Sequence, residues 1–346
     1  MRGIRFSRRD RSIRRGLLSR RGWKAREDGA GVTRRGVRGL LGSACLVLSC
    51  VSVTAVSALS ALSALSSGPA GAAPVARADG SGGARVAFPL PPGLTASEHA
   101  ALQHAGAYGT HPVRLLVLGD SIAMTLGMGL SVDARQDYGV TVTDEATVGC
   151  DLDPQLQVVT SGAAGPATPG CDNWRGLWPF VIATQRPQVV ALGLGRWEVA
   201  DHLLDGHWVH IGEPAWNQHL SADLQSAITI LHSFGAKVVL LTMPYVDPSD
   251  CQANGLPWSE NTPARTQAYN ALVRQVAATH PGVVSVIDLN RMLSPGGVYS
   301  ASVSGIDVRS SDGIHVSVDG GELLQRQILP AVDRIGMEDE AAKAHT

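Results

Sequence analysis

From residue 113 onward, short apolar runs alternate regularly with helix-like stretches. Five runs are expected to form strands, at residues 113–118, 139–143, 189–194, 238–242 and 283–287. Several are apolar throughout, which is typical of central strands in a parallel sheet. Helices are predicted at residues 122–136, 173–184, 218–234, 264–279 and 322–335. This alternation predicts an α/β fold, in which ligands bind at the carboxyl ends of the strands.

The N-terminal part of the chain has a different composition. Residues 1–38 contain fourteen Lys and Arg and three acidic residues, a net charge of +11, so the remainder, with 15 basic and 27 acidic residues, carries −12. A nucleic-acid-binding domain would carry its basic residues on the folded part, so we expect no nucleic-acid partner. Residues 39–76 contain no charge, and Leu40 to Leu65 are long enough to cross a bilayer as a helix.

We divide the chain into five parts: a basic cytoplasmic leader (1–38), a signal peptide or single-span anchor (39–76), a flexible linker (77–112), a catalytic domain (113–338) and a tail (339–346). The basic flank stays inside, so the domain is expected to be extracytoplasmic. Cleavage after Ala70-Gly71-Ala72 or Ala76-Arg77-Ala78 would release a secreted protein. Without cleavage, residues 39–65 would anchor it, so only this N-terminal segment contacts the membrane.

Three cysteines lie in the predicted domain, namely Cys150, Cys171 and Cys251. Cysteines of exported proteins pair, and three pairings are open to these residues. We favour Cys150 with Cys171, which closes a loop rich in Gly, Pro and Thr. This choice leaves Cys251 over. Free buried thiols are the alternative for all three.

The first predicted strand ends in Gly119-Asp120-Ser121, and the first predicted helix follows. Ser121 is therefore expected at a strand-to-helix turn, where free backbone N–H groups and the positive helix end favour a developing negative charge. A serine nucleophile is effective in such a position. On this tripeptide alone, a helix-capping role for Ser121 is an equal alternative.

A second motif, Asp312-Gly313-Ile314-His315, supports the nucleophile. A hydroxyl becomes reactive when a base removes its proton, and an imidazole held by a carboxylate is the usual base near neutral pH. The motif follows the last predicted strand and precedes the last predicted helix, at the sheet edge where Ser121 is expected. This position favours a catalytic triad of Ser121, His315 and Asp312.

The two end motifs, in this order, resemble the SGNH (GDSL-type) hydrolase superfamily over about residues 113–335. Four middle motifs resemble, more closely, the SGNH domains fused to bacterial membrane acyltransferases: Gly149-Cys150-Asp151-Leu152, Cys171-Asp172-Asn173-Trp174, Leu194-Gly195-Arg196-Trp197-Glu198 and Asp205-Gly206-His207-Trp208. The resemblance implies a flavodoxin-like three-layer α/β/α fold with a central parallel five-stranded sheet. It also implies Ser121 as nucleophile, His315 as general base and then acid, and Asp312 as its orienting partner.

The resemblance further implies an oxyanion hole formed by the backbone N–H groups of Ser121 and Gly149. The chain departs from the family where Gly-x-Asn-Asp is usual and Gly195-Arg196-Trp197-Glu198 occurs. The amide donor is missing, and Arg196 is either a cationic replacement or the salt-bridge partner of Glu198 or Asp201. Loss of one donor costs about 3 kcal/mol, so we expect slow turnover of simple esters. Trp197 and Glu198 are candidate substrate-binding residues.

Neither a metal nor a cofactor is predicted. The histidines near the third motif follow no usual zinc spacing; they are His202, His207, His210 and His219. At least half of the six tryptophans between residues 174 and 258 are expected in the core.

These features predict an exported serine esterase that removes a small acyl group, O-acetyl above all, from cell-envelope carbohydrate. Its partner is an acylated envelope glycan or a small ester, and a monomer is expected. Transfer of the acyl group to a glycan hydroxyl is an alternative. A non-catalytic glycan-binding protein on a decayed esterase fold is another: the missing amide donor favours it, and the intact Ser121, Asp312 and His315 argue against it.

Overall fold

The computed structural model describes residues 95–97 and 112–345. The predicted leader (1–38), the apolar segment (39–76) and almost all of the linker (77–112) lie outside the described residues, so these assignments stay predictions. Within the described residues, no helix is both long enough and apolar enough to cross a bilayer.

Between residues 112 and 345, the chain forms eleven strands and seven α-helices. The strands are β1 (Val113–Gly119), β2 (Val140–Asp144), β3 (Gln157–Thr160), β4 (Ala163–Pro166), β5 (Val189–Gly193), β6 (Asp201–Leu204), β7 (His207–Val209), β8 (Lys237–Leu241), β9 (Val284–Ile287), β10 (Ser302–Val303) and β11 (Ile306–Asp307). The helices are α1 (Ser121–Ser131), α2 (Ala134–Tyr138), α3 (Trp174–Gln185), α4 (Pro214–Leu231), α5 (Pro263–Ala278), α6 (Leu289–Leu293) and α7 (Val318–Ala344).

Five strands form a fully parallel central sheet in the order β2-β1-β5-β8-β9. Strands β1 and β5 are buried at almost every residue because helices cover the sheet. Helices α1 and α7 pack together against β1, whereas α3, α4 and α5 form a second layer, in which α4 contacts β8 and α5 contacts β9. The predicted α/β fold with a five-stranded parallel sheet between helices is confirmed.

Two predicted helices differ from the observed ones. The stretch predicted at 122–136 is broken into α1 and α2, because Asp133 has a left-handed φ of 51°, which Asp tolerates better than most residues. The last helix is longer than predicted, because the Ser317 side chain caps its start by accepting the Gly320 N–H at 2.9 Å. It runs to Ala344, through most of the predicted tail (339–346).

A second, antiparallel sheet of order β4-β3-β6-β7 was not predicted. Its strands are three or four residues long, too short for a clear alternation of apolar and polar residues. Two-residue turns join them in pairs, and both turn residues have positive φ in Ser161-Gly162 and in Asp205-Gly206. The segment around Gly206 and Trp208 is therefore a hairpin of this sheet.

The Cys150–Cys171 disulfide is formed as predicted. It closes a loop with a sequence separation of 21 residues, which contains the β3–β4 hairpin. Cys251 is disulfide-bonded as well, so the prediction that it is left over is wrong.

Helices α1 and α7 touch at a pair of glycines. A Cβ on Gly129 would lie 2.6 Å from the Gly321 Cα and 2.6 Å from the Val318 carbonyl oxygen. The two backbones are therefore in direct contact, which draws α7 over the same region of the sheet as α1. Because α7 follows Asp312 and His315, this contact also fixes the far end of the chain beside Ser121.

Candidate active site

The candidate nucleophile lies where β1 ends and α1 begins. Gly119 has a φ of +129°, and a Cβ there would overlap the carbonyl oxygen of Gly193 on the neighbouring strand, so only glycine fits. Asp120 caps α1, since its Oδ1 accepts the Ile122 N–H at 2.8 Å. Ser121 is thereby held as the first residue of α1, at the carboxyl end of a central strand.

The loop from Arg309 to Val316 carries the other two side chains. These two residues form an isolated antiparallel bridge, and the Ser310 N–H donates to the His315 carbonyl oxygen at 2.9 Å. Asp312 Oδ1 accepts the backbone N–H of His315 at 3.0 Å. The loop is therefore closed at its base and braced at its tip by the carboxylate that also orients the imidazole.

The structure brings the three predicted residues into hydrogen-bonded contact. His315 Nε2 lies 2.8 Å from Ser121 Oγ, and His315 Nδ1 lies 2.5 Å from Asp312 Oδ2. Burial alone would raise the pKa of Asp312, but the hydrogen bonds from the His315 side chain and from two backbone N–H groups outweigh it and hold that pKa below its usual value. Asp312 thus stays ionised at neutral pH and favours the Nδ1–H tautomer, which leaves Nε2 to accept the serine proton.

Two backbone N–H groups remain available as oxyanion donors. Those of Ser121 and Gly149 donate no hydrogen bond within the described residues. The Thr147 N–H donates to the Gly119 carbonyl oxygen at 2.8 Å, which ties the Gly149 turn to the end of β1. The Thr168 hydroxyl holds the Gly149 carbonyl oxygen at 2.8 Å and so fixes the peptide from behind. Both predicted donors therefore belong to turns connected at Gly119.

Arg196 lies next to the nucleophile turn, as predicted for a residue of the third motif. Its backbone N–H donates to Asp120 Oδ2 at 3.2 Å, and one guanidinium nitrogen, Nη1, is buried without a hydrogen-bond partner in the described residues. Burial lowers the pKa of Arg196, whereas the nearby carboxylates of Glu260 and Asp120 oppose this change. Among the described residues Arg196 forms no salt bridge with Glu198, whose Oε1 accepts no hydrogen bond, or with Asp201, which pairs with Arg265 at 2.6 Å.

Glu198 does not line the site, so its assignment to substrate binding is corrected. It is 0% exposed, and its Oε2 accepts the Gly195 N–H at 2.7 Å. Burial, followed by the nearby carboxylates of Asp151 and Asp120, raises its pKa well above the usual value. Glu198 therefore shapes the turn that presents Arg196. Trp197 is half-buried, and its role in substrate binding stays a prediction.

The role of Asp120 was missed in the sequence. Its two carboxylate oxygens connect the start of α1 to Arg196, so one side chain joins the first and third motifs. Burial raises its pKa to about 6, against the hydrogen bonds from Ile122, Arg196 and Ala123. Asp immediately before a helix is a capping signal, which pointed to Asp120 rather than Ser121 as the cap. Its second contact depends on a turn that lies 76 residues away.

Two of the histidines near the third motif, His202 and His219, stack on Trp216. His202 is fully buried, stacked 4.0 Å from Trp216 and 3.3 Å from the Asp151 carboxylate. His210 pairs with Glu213 on the surface. Three of the six tryptophans, Trp174, Trp178 and Trp216, are buried, as expected.

The family described as protein of unknown function DUF459 matches residues 114–331. The chain belongs to this family. The matched segment begins in β1 and ends in α7, so it contains the whole Ser121–His315–Asp312 site. No curated protein matches the chain.

Solved structures with similar folds include three hydrolases. An acetylxylan esterase from Geobacillus stearothermophilus is 16% identical, with 64% of this chain and 94% of the esterase covered and a TM-score of 0.39. A candidate SGNH hydrolase from Slackia heliotrinireducens is 16% identical, with coverages of 67% and 98% and a TM-score of 0.38. An alpha/beta hydrolase from the metagenome of Lake Arreo, Spain, is 15% identical, with coverages of 65% and 97% and a TM-score of 0.42. One of these three structures is described as a candidate SGNH hydrolase. The likeness to acyltransferase-fused domains stays a prediction.

Proposed function

We propose that this protein is an exported serine esterase that cleaves small acyl esters, O-acetyl above all, on cell-envelope carbohydrate. One observation carries the catalytic part of the proposal: His315 joins Ser121 Oγ at 2.8 Å to Asp312 at 2.5 Å. Such a chain of contacts supplies a base to a nucleophile at a helix N-terminus. The export and glycan parts rest on the leader and on the resemblance to envelope SGNH domains.

The geometry supports a two-step reaction. Ser121 Oγ bonds to the ester carbonyl carbon as His315 Nε2 takes the hydroxyl proton. The tetrahedral oxyanion accepts hydrogen bonds from the Ser121 and Gly149 N–H groups, and the C–O bond to the alcohol then breaks as His315 returns the proton to the leaving oxygen. In the second step His315 takes a proton from water, and the water oxygen bonds to the acyl carbon. The bond from that carbon to Ser121 Oγ then breaks as His315 returns the proton to Oγ, which releases the carboxylic acid. A glycan hydroxyl in place of water would give transfer by the same steps.

The test is Ser121→Ala in the full chain. Alanine fits the first turn of α1 but has no nucleophile, so hydrolysis of p-nitrophenyl acetate and labelling by a fluorophosphonate should both fall to background. Ser131→Ala is the matched control, because Ser131 lies on the same helix with its hydroxyl bonded to the Met128 carbonyl oxygen. Activity or labelling retained in Ser121→Ala would refute the proposal, provided that both variants melt like the wild type.

A further inference from the structure

A second cluster of reactive side chains lies apart from the Ser121 site. Asp153 follows the Cys150 turn, whereas His219 and Asp223 are one helical turn apart on α4. Their nitrogen and oxygen atoms lie within 4.8 Å of one another. His219 Nε2 is 2.8 Å from Asp153 Oδ1 and 3.6 Å from Asp223 Oδ2. Two separated parts of the chain therefore direct three potential metal ligands at one point.

Two carboxylate oxygens in this cluster accept no hydrogen bond from any described residue. Asp153 is 1% exposed and Asp223 is 7% exposed. The Oδ2 atom of each is buried and accepts no hydrogen bond within the described residues. A buried carboxylate oxygen without a hydrogen-bond donor or a cation is unfavourable, because it has lost its hydrogen bonds to water and no other interaction replaces them.

The charge balance favours an added cation. Arg175 donates to Asp223 Oδ1 and supplies the one fixed positive charge. Two carboxylates and one guanidinium leave a net charge of −1 when His219 is neutral. Neutral imidazole is also the form that binds metals. Arg175 contacts Oδ1 of Asp223, whereas His219 Nε2 lies near Oδ2, so Arg175 can orient the carboxylate as outer-shell partners of metal ligands do.

The spacing suits a small divalent ion. Imidazole nitrogen and carboxylate oxygen are both zinc ligands, and zinc–ligand bonds of about 2.0–2.1 Å in a tetrahedron place ligand atoms about 3.3 Å apart. The distance of 2.8 Å to Asp153 Oδ1 and that of 3.6 Å to Asp223 Oδ2 lie on either side of this value. Asp153 Oδ1 also accepts the Gln155 amide N–H at 3.2 Å, so within the described part of the chain Oδ2 is the oxygen of Asp153 without a hydrogen bond. The His219 ring stacks on Trp216 at 5.5 Å, which restricts its rotation.

We propose that Asp153, His219 and Asp223 bind one zinc ion, each through a single atom, with water as the fourth ligand. The His219 side chain is 32% exposed, which gives the ion and its water a route from solvent. The ion would fasten α4 to the loop that follows Gly149, so its role is to stabilise that loop. The site could not be predicted from the sequence because Asp153 is 66 residues from His219.

The test uses the untagged full chain, stripped with EDTA and dialysed against zinc. The wild type should retain about one zinc per chain and melt at a higher temperature with zinc than without it. His219→Gln should lower the zinc affinity at least about tenfold and abolish the zinc-dependent shift in melting temperature. His210→Gln is the matched control, because His210 pairs with Glu213 at the surface, and it should bind zinc like the wild type.

Two results would overturn the assignment: a wild type that retains no zinc, or a His219→Gln variant that binds it with wild-type affinity. The first would mean that the three side chains form a metal-free polar network. Asp153→Asn should repeat the loss, and because Asp153 is buried, His219→Gln decides the matter if the Asn variant does not fold. Fluorophosphonate labelling of Ser121 is a separate readout, so failure here leaves the esterase proposal standing.

Discussion

Arg196 combines a buried, unpartnered guanidinium nitrogen with a position beside the nucleophile turn. The amide donor usual for the third SGNH motif is missing at this place. A cation here stabilises an oxyanion most when it lies in a site that excludes water, because charges interact more strongly there. We therefore propose Arg196 as a third oxyanion donor within the proposed esterase.

Replacement of Arg196 tests this role. Arg196→Leu should lower kcat about 100-fold to 1000-fold, with a smaller change in KM, because the donor acts on the charge that develops in the transition state. Arg196→Lys keeps the charge and should recover part of the lost rate. Steady-state kinetics with p-nitrophenyl acetate measures both. If Leu and Lys variants kept the wild-type kcat, Arg196 would be a packing residue only.

Asp333 on α7 carries an unfavourable buried charge. It is 7% exposed and makes no hydrogen bond or ion pair with any described residue. Burial raises its pKa from 3.8 to about 7. Because the folded-state pKa is higher than the unfolded one, the penalty is absent below pH 4, grows as the pH rises from 4 to 7, and is complete above pH 7.

Asp333→Asn should therefore raise the free energy of unfolding by about 2 kcal/mol at pH 8, after allowance for solvent screening. Near pH 3.5 it should leave the free energy of unfolding unchanged. Urea denaturation at the two pH values measures the difference. Asp137→Asn is the control, since Asp137 is exposed on α2 and should change stability little at either pH. An equal gain at both pH values would show that the charge of Asp333 is not the cause.

The packing contact between α1 and α7 sets the geometry of the site. The α1 backbone begins at Ser121, and α7 follows the loop that holds His315. Gly129 and Gly321 let the two helices touch. A side chain at either position would separate the two helices and increase the distance between Ser121 and His315.

Gly129→Ala should lower the free energy of unfolding by about 1–3 kcal/mol, although alanine is the better helix former by about 1 kcal/mol. The cause is overlap of the new methyl group with the Gly321 backbone. Gly165→Ala is the matched control, because a Cβ there meets no atom within 4 Å. Denaturant unfolding of the two variants measures the contrast, and equal stability would mean that the helices separate without cost.

For the whole chain, the proposal predicts passage across the membrane. The leader has a net charge of +11 and precedes a segment free of charge, an arrangement that retains the basic end in the cytoplasm. Expression of the full chain in a bacterium, followed by fractionation and N-terminal sequencing, should place residues 113–338 outside the cytoplasm. A new N-terminus near residue 73 or 79 means secretion, and an intact one in the membrane fraction means anchoring. Full-length protein in the cytoplasm would contradict export.

Local sequence signals were sufficient to predict much of the fold and of the candidate site. The central strands are apolar runs of buried residues, and Gly119-Asp120-Ser121 and Asp312 to His315 carry their own turn and capping signals, so fold and triad were predictable. The short hairpins of the second sheet were not, because strands of three or four residues have too little periodicity. Glu198 was misassigned because burial, which converts a polar side chain into a structural one, depends on what packs over it.

The sequence by itself determined which residues are chemically able to act and which sheet edge they share, since parallel strands all end on the same side. Only the tertiary structure decided the contacts that depend on distant segments: the 2.8 Å approach of His315 to Ser121, the bridge from Asp120 to Arg196, and the meeting of Asp153 with His219 and Asp223. These pairs are separated by 194, 76 and 66 residues. Periodicity and capping act over a few residues, whereas such contacts exist only after helices and sheet have packed.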